Sequence, residues 1–456
     1  MTPPAILASA IFILAYLLIA WEKIHKTAVA LGGAALVLLL GLVGQHEAFH
    51  GGEVDGIQVE GVDWNTILLL VGMMIIVSIT RDTGVFQWLA IKSAKAGRGR
   101  PIPIILLLSG VTAVLSALLD NVTTVLLIAP VTIIICNSLE VDPVPFLICE
   151  ILASNIGGTA TLVGDPPNIM IASQARLSFL DFIINLTPVA IIVFAFYAGT
   201  IWLVLRRRIQ VTEENRAKVM EFDEARAITD KPLLWRCLVV LGLTLFGFVI
   251  HGWLGLEPAT IALSGAALLL LVTGRHPLKH LEEVEWPTIF FFLGLFIMVS
   301  ALVKQGVINL LSGGLLQLTH EDPVGTSLLV LWFSAIASAI VDNIPYVATM
   351  NPLIMDMARQ MNQDLGWGFV GHTAIAQAPL IMPLWWSLAL GACLGGNGSL
   401  IGASANVVVA GIAEKSGTPI SFVRFLKWGV PLTIQSILIS TVYVWLVYLR
   451  DLPLGP

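Results

Sequence analysis

Apolar runs of helical length fill most of this chain. They fall at 5–21, 27–44, 65–83, 101–119, 122–138, 146–174, 182–205, 233–250, 257–273, 286–303, 326–341, 344–357, 373–413 and 428–449. Recurring runs of about 20 apolar residues are the mark of membrane-spanning helices, so the pattern predicts an all-α polytopic membrane protein. Two pairs of runs are anomalous. Asp120 and Asn121 alone separate 101–119 from 122–138, and Asp342 and Asn343 alone separate 326–341 from 344–357. Two full spans cannot reverse on two residues flanked by apolar sequence. Each pair is expected to be a re-entrant hairpin with its tip near mid-membrane, where polar backbone must be buried in protein or line a cavity. The first run, Pro4 to Ala20, has no basic region before it and no small-residue cleavage site. It reads as a retained helix, not a signal peptide.

Counting each hairpin as no crossing leaves ten crossings, five per half. Cytoplasmic loops carry the excess of Lys and Arg. With both termini outside, 20 of the 24 basic residues lie inside, and Arg176, Lys304, Arg359 and Arg450 alone lie outside. The inside set includes Lys23 and Lys26, next to Glu22, and Arg206, Arg207 and Arg208. The polar stretch 206–232 is read as a cytoplasmic linker between transmembrane halves 1–205 and 233–456.

Composition agrees. The chain of 456 residues is 57% hydrophobic and 12% charged, against about 25% charged in soluble domains. That excludes a cytosolic enzyme, a nucleic-acid binder and a disordered chain, and makes the lipid bilayer the main partner. The four cysteines lack CxxC spacing, which argues against a disulfide framework or a zinc ribbon.

The halves resemble each other. VDWNTILLLVG (62–72) aligns with VEWPTIFFFLG (284–294), and LSALLDNVTTVLLIAP (115–130) with ASAIVDNIPYVATMNP (337–352), both at an offset of 222. GGTATLVGDPPN (157–168) aligns with GGNGSLIGASAN (395–406) at an offset of 238. An odd number of crossings per copy turns the second copy upside down. Inverted repeats with discontinuous helices are typical of secondary transporters, with the substrate site near the midplane.

Candidate chemistry gathers in those aligned segments. Gly157, Gly158, Gly164, Pro166 and Pro167 interrupt an apolar run. Glycine costs about 1 kcal/mol and proline about 3 in a helix interior, so the helix is expected to unwind. Freed carbonyls could then coordinate a cation and a helix N-terminus face an oxyanion. Asn155, Thr159, Thr161 and Asn168 add side-chain oxygens. Gly395, Gly396, Gly398 and Gly402 repeat the pattern, with Asn397, Ser399, Ser404 and Asn406. The competing explanation is close helix packing through small residues. The tips carry Asp120, Asn121, Thr123 and Thr124, and Asp342 and Asn343. An intramembrane carboxylate marks function by default, although each Asp could equally cap the second arm of its hairpin. As titrating groups, Asp120 and Asp342 are the first candidates for coupling, then Asp165 and Glu150. Ala403 aligns with Asp165, and Glu150 lies near a helix end from which it could snorkel. His46-Glu47-Ala48-Phe49-His50 matches the zinc-protease pattern, but Gly51 and Gly52 follow at once in an acidic loop. No Walker A lysine is present, so energy is expected from an ion gradient or from a partner.

LLDNVTTVLLIAPVTI, SNIGGTATLVGDPPNIMIAS, VDNIPYVATM and GACLGGNGSLIGASANVVVAGIAEKSG resemble the ArsB/NhaD branch of the ion transporter superfamily, nearest to the bacterial ArsB-type relatives of the melanosomal P protein. The resemblance implies a scaffold part and a transport part in each half, with two opposed hairpins and paired ion sites flanking the substrate. Carried over, one ion site would use Asn121, Thr123 and backbone near Gly157 and Gly158. The other would use Asn343 and backbone near Gly395 and Gly396. Dicarboxylate carriers of that fold have Ser-Asn-Thr tips, whereas Asp-Asn-Val-Thr and Asp-Asn-Ile-Pro stand here, which points to a different substrate. The expected function is export of a small inorganic substrate, arsenite or antimonite, by elevator-like movement across a bacterial inner (plasma) membrane. No tightly bound cofactor is expected, and protons or Na+ are the candidate coupling ions. A homodimer and a cytoplasmic ATPase are the further partners to consider. Alternatives are a sodium/proton antiporter, an anion or dicarboxylate carrier or channel, and, from another class, a membrane zinc protease.

Overall fold

The expected apolar runs are largely helical, with 146–174 and 373–413 interrupted, in a computed structural model of the chain, which describes residues 1–452 except 22, 55–56, 208, 320–321, 365 and 451. Glu22 and Arg208, named above among the charges that flank spans, lie outside the described residues. The first half runs α1 (Pro3–Ala20), α2 (Lys26–Leu39), α3 (Gln45–His50), a two-stranded ribbon of β1 (Gly52–Val54) and β2 (Ile57–Val59), and α4 (Trp64–Arg81). Then come α5 (Val85–Ala96), the hairpin α6 (Pro101–Leu118) and α7 (Asn121–Leu139), the interrupted pair α8 (Val144–Gly158) and α9 (Pro166–Ala175), and α10 (Phe179–Leu205). A short helix α11 (Glu213–Met220) lies in the linker. The second half runs α12 (Lys231–Leu254), α13 (Pro258–Thr273), α14 (Pro277–Glu282), α15 (Trp286–Lys304) and α16 (Val307–Thr319). The hairpin α17 (Pro323–Ile340) and α18 (Asn343–Asp364) follows, then α19 (His372–Ala376), the interrupted pair α20 (Met382–Gly395) and α21 (Ser404–Lys415), and α22 (Phe422–Val444).

Among the described residues nine helices are long and apolar enough to cross a membrane: α1, α4, α6, α7, α10, α12, α15, α17 and α22, the last extended to Leu449. Three features depart from the expected pattern. The loop before α4 is not irregular. It folds as α3 and an antiparallel ribbon in which Gly52 faces Val59, so the fold is mostly rather than wholly helical. Amphipathic α5 and α16 occupy stretches that a search for long apolar runs passes over. The second hairpin arm, α18, extends well past the apolar run 344–357.

Packing interleaves the two halves. Helix α4 lies along α13, and α15 lies along α2. Gly72 permits the first contact, because a Cβ there would stand 2.7 Å from the Ala262 backbone; Gly294 permits the second, with 2.6 Å to Ala30. Each hairpin's first arm backs onto an interrupted helix, α6 on α8 and α17 on α20. The linker docks against α5 and the base of the first hairpin. The Asn215 side chain donates to the Leu139 carbonyl at 3.3 Å, Lys218 meets Glu140 at 3.2 Å and Lys95 meets Glu224. The Asn215 and Lys218 contacts hold the exposed Glu140 carboxyl below its ordinary range.

Candidate functional site

Both hairpins turn the same way. Asp120 caps α7, accepting from the Thr123 amide at 2.8 Å and from the Thr123 hydroxyl. Asp342 accepts from the Ile344 amide at 3.2 Å at the start of α18. The capping explanation therefore holds for both carboxylates, and Thr123 is committed to Asp120. The next residue in each tip points inward and is buried. The Asn121 amide donates to Asn155 Oδ1 and to Asp165 Oδ1, each at 3.2 Å. The Asn343 amide donates to Asp165 Oδ2 at 3.2 Å and Oδ1 at 3.4 Å. Among the described residues Asp165, 1% exposed, is thus the one carboxylate that both tips grip.

The helix breaks differ in detail from the expectation. Gly157 and Gly158 are still helical, and the irregular stretch is 159–165. Pro166 and Pro167 do not break a helix; they begin α9, where a missing N–H costs nothing. In the second half Gly396–Gly398 forms a tight turn and α21 starts at Ser404. Close packing explains the glycines. A Cβ on Gly157 would stand 2.1 Å from the Ala113 carbonyl oxygen, and one on Gly395 would stand 2.6 Å from Ala335. Gly158 faces the Gly164 carbonyl oxygen, and Gly396 faces that of Gly402.

The carbonyls at the breaks are not left bare. The Asn168 amide donates to Gly158, Thr159 and Thr161 carbonyls at 3.3, 3.3 and 2.9 Å. The Asn406 amide donates to Gly396 and Ser399 carbonyls, each at 2.8 Å. The two breaks also cross-link. Asn155 donates to Asn397 Oδ1 at 2.9 Å and to Asn406 Oδ1 at 3.0 Å, and Cys393 Sγ approaches Asn168 Oδ1 at 3.4 Å. Thr159 and Thr161 bond back to the Asn155 and Ala117 carbonyls. The hydroxyls of Thr124 and Ser399 are buried without a partner among the described residues.

A cavity of about 20 Å³ lies between the tips, lined by Asp120, Asn121, Asp165, Glu285, Asn343 and Ser404 among others. That is room for about one water, so the site is closed in this conformation. Among the described residues no Lys, Arg or His lines it. A larger cavity of about 790 Å³ opens beside the β-ribbon, with Glu60, Asp63, Gln174, Asn351, Arg359 and His372 in its wall. There burial pushes the Glu60 carboxyl up, against the pull of Gln174, His372 and Arg359.

Sequence reasoning missed Lys26. Its ammonium meets Asp342 Oδ2 at 2.9 Å and Ser404 Oγ at 2.8 Å. A lone lysine 316 residues away in sequence carries no local signal of this contact. Glu150 does not snorkel. It is 1% exposed and accepts from the Thr132 hydroxyl, with its second oxygen unpartnered. His46 and His50 stack with ring centroids 5.0 Å apart on the single turn of α3. Among the described residues no group of three or more His, Cys, Asp or Glu is arranged to hold a metal.

Comparison with known proteins fits this architecture. The family model described as "Citrate transporter" (CitMHS) matches residues 16–370. An uncharacterized transporter of Mycobacterium tuberculosis is 47% identical over 444 residues, covering 97% of this chain and 99% of that protein. The human P protein is 34% identical over 516 residues, covering 96% of this chain and 59% of its own length. Among solved structures, the Alcanivorax borkumensis YdaH transporter aligns over all of both chains with a TM-score of 0.54 at 15% identity. Neisseria gonorrhoeae MtrF, described as illuminating a class of antimetabolite efflux pumps, aligns over 100% of this chain and 97% of its own, with a TM-score of 0.57 at 11% identity. At those identities the likeness is one of fold. The family match and the length of the shared sequence make this chain a membrane transporter, not an enzyme, and it belongs to the CitMHS citrate transporter family.

Proposed function

We propose that the chain is a secondary active transporter that exports a small inorganic solute, arsenite or antimonite, in exchange for protons carried on Asp165. The observation that carries this reading is the single carboxylate held between both hairpin tips. At neutral pH arsenite is chiefly an uncharged trihydroxide. Amides, hydroxyls and a titrating carboxylate can hold such a solute without thiolates. Citrate, the substrate in the family's name, suits this site poorly. Three carboxylates would meet Asp120, Asp165 and Glu285, with no cation in the lining among the described residues. A second reading, sodium/proton exchange at the same carboxylate, is favoured by a cavity the size of one water. Inside-out vesicles separate the two. Arsenite accumulation driven by a pH gradient supports the first, and sodium-driven proton movement without arsenite uptake supports the second.

Movement follows from the same reading: inverted halves, re-entrant hairpins and an elevator-like shift of the tips against a static scaffold. Paired contacts at the repeat offsets support it. Ser116 bonds the Ser154 carbonyl as Ser338 bonds that of Ala392, and Asn168 holds its break as Asn406 holds the other. In this arrangement both termini and 45–62 face outside and 206–232 faces inside. Single cysteines in the linker of whole cells should resist an impermeant maleimide, whereas cysteines in 45–62 should react. Strong labelling of the linker from outside would change the parity of crossings and end the inverted-repeat reading.

A further inference from the structure

The two hairpin tips are electrically unlike. At the first, Asp120 bonds to the amide and hydroxyl of Thr123 in its own turn. At the second, Lys26 closes a triangle of contacts: 2.9 Å to Asp342 Oδ2, 2.8 Å to Ser404 Oγ, and 2.9 Å between Ser404 Oγ and that same carboxylate oxygen. The Phe291 ring lies 5.0 Å from the ammonium, a distance at which an aromatic face attracts a cation. Ser404 opens α21 after the second break, and Pro166 holds the corresponding place in the first half. A carboxylate, a hydroxyl at a helix break and an aromatic face are the surroundings of a bound monovalent cation. Here they enclose the end of a side chain that starts from α2, on the other half of the chain.

We propose that the Lys26 ammonium is a tethered cation, filling at the second tip the place a dissolved cation would otherwise take. The carboxylate of the second tip is then permanently neutralised, and the exchangeable positive charge is left to Asp165 between the tips. The inference rests on reading the tips as the ion-handling site. It explains why Asp342 is tolerated at a hairpin turn where its side chain is only 11% exposed: an unpaired carboxylate so far removed from water would be destabilising. It also gives the two halves different duties, although their backbones repeat.

Melting temperatures of the purified full chain in nanodiscs test this, with NaCl replaced stepwise by choline chloride at constant ionic strength. Lys26→Ala should gain a saturable, sodium-dependent rise of about 2 °C or more that the parent lacks. Methylammonium chloride should produce the same gain, since it returns the missing ammonium. Lys26→Arg should behave as the parent. Lys26→Ala combined with Asp342→Asn should lose the gain. Lys26→Met, which keeps an apolar stem, serves as the companion variant if Lys26→Ala fails to fold, and the same gain is required of it. No gain with either cation, or a gain undiminished in the double variant, would overturn the proposal. The assay contains no transported solute, so a failure to move arsenite would refute the functional reading without touching this result.

Discussion

Asp165→Asn should abolish accumulation of substrate driven by an imposed pH gradient while the protein folds and inserts. The carboxylate accepts from the amides of Asn121 and Asn343, one from each hairpin. Asparagine keeps the size and one acceptor, but it cannot titrate and it turns an amide donor toward two others. Hydrogen bonds to a charged group contribute about 1.5–3 kcal/mol each. Losing even one in a coupled state change corresponds to roughly tenfold or more in rate, and losing both to at least about a hundredfold. Solute exchange without a gradient should survive in part, because closure of the tips does not need the proton. Asp120→Asn is the comparison. Asparagine caps a helix as well as aspartate does, and among the described residues Asp120 bonds only within its own turn, so coupling should persist. Concentrative uptake by Asp165→Asn at the parent rate would remove this residue from the coupling step.

That assignment shows what the sequence could and could not reveal. The turns at Asp120-Asn121 and Asp342-Asn343 were legible because two polar residues interrupt apolar runs too abruptly for a membrane surface. The breaks were legible because glycine and proline cluster there. The alignment of the halves put Asn121 and Asn343 at corresponding places. What alignment hides is asymmetry. Asp165 aligns with Ala403, so repeat logic ranked it behind Asp120 and Asp342, yet it is the residue on which both tips converge. The charge of Lys26 likewise points to a cytoplasmic loop, whereas its partner lies in the other half. The contact from Asn155 to Asn406 spans 251 residues and leaves no local pattern. Helices α5 and α16 are short and amphipathic, so a search for long apolar runs passes over them. Contacts of this kind are fixed by tertiary packing, which the spacing of polar residues does not encode.

The second large effect is on folding. Gly157→Val should leave almost no properly folded protein, and Gly157→Ala should already lower the melting temperature sharply. A Cβ at Gly157 would stand 2.1 Å from the Ala113 carbonyl oxygen, where nothing closer than about 3 Å is found in practice. The obstacle is backbone on α6, and that arm is fixed again by the bond from Ser116 to the Ser154 carbonyl. Neither side can give without separating the hairpin from the interrupted helix. Overpacking of this sort costs about 1–3 kcal/mol and more when backbone must move. Gly395→Ala should act in the same direction through Ala335. Gly32→Ala on α2 meets nothing within 4 Å and should be neutral or slightly stabilising, since alanine favours a helix by about 1 kcal/mol over glycine. Size-exclusion profiles of fluorescent fusions, followed by thermal melts, compare the three alanine variants directly. A Gly157→Ala protein that melts with the parent would show that the contact yields.

The interleaving of α4 with α13 and α15 with α2 bears on how the protein is made. As the ribosome delivers the first half, α2 and α4 enter the bilayer with the faces that Ala30 and Gly72 prepare still open to lipid. Their contacts come much later in the chain, Ala262 190 residues after Gly72 and Gly294 264 residues after Ala30. The first half must therefore wait in the membrane as an unfinished intermediate, exposed to quality-control proteases, until α13 and α15 insert and close both seams together. A gene cut within the linker would yield two pieces, neither able to mature alone. Co-expression should restore a functional protein, because the seams, and not the covalent link through α11, join the halves.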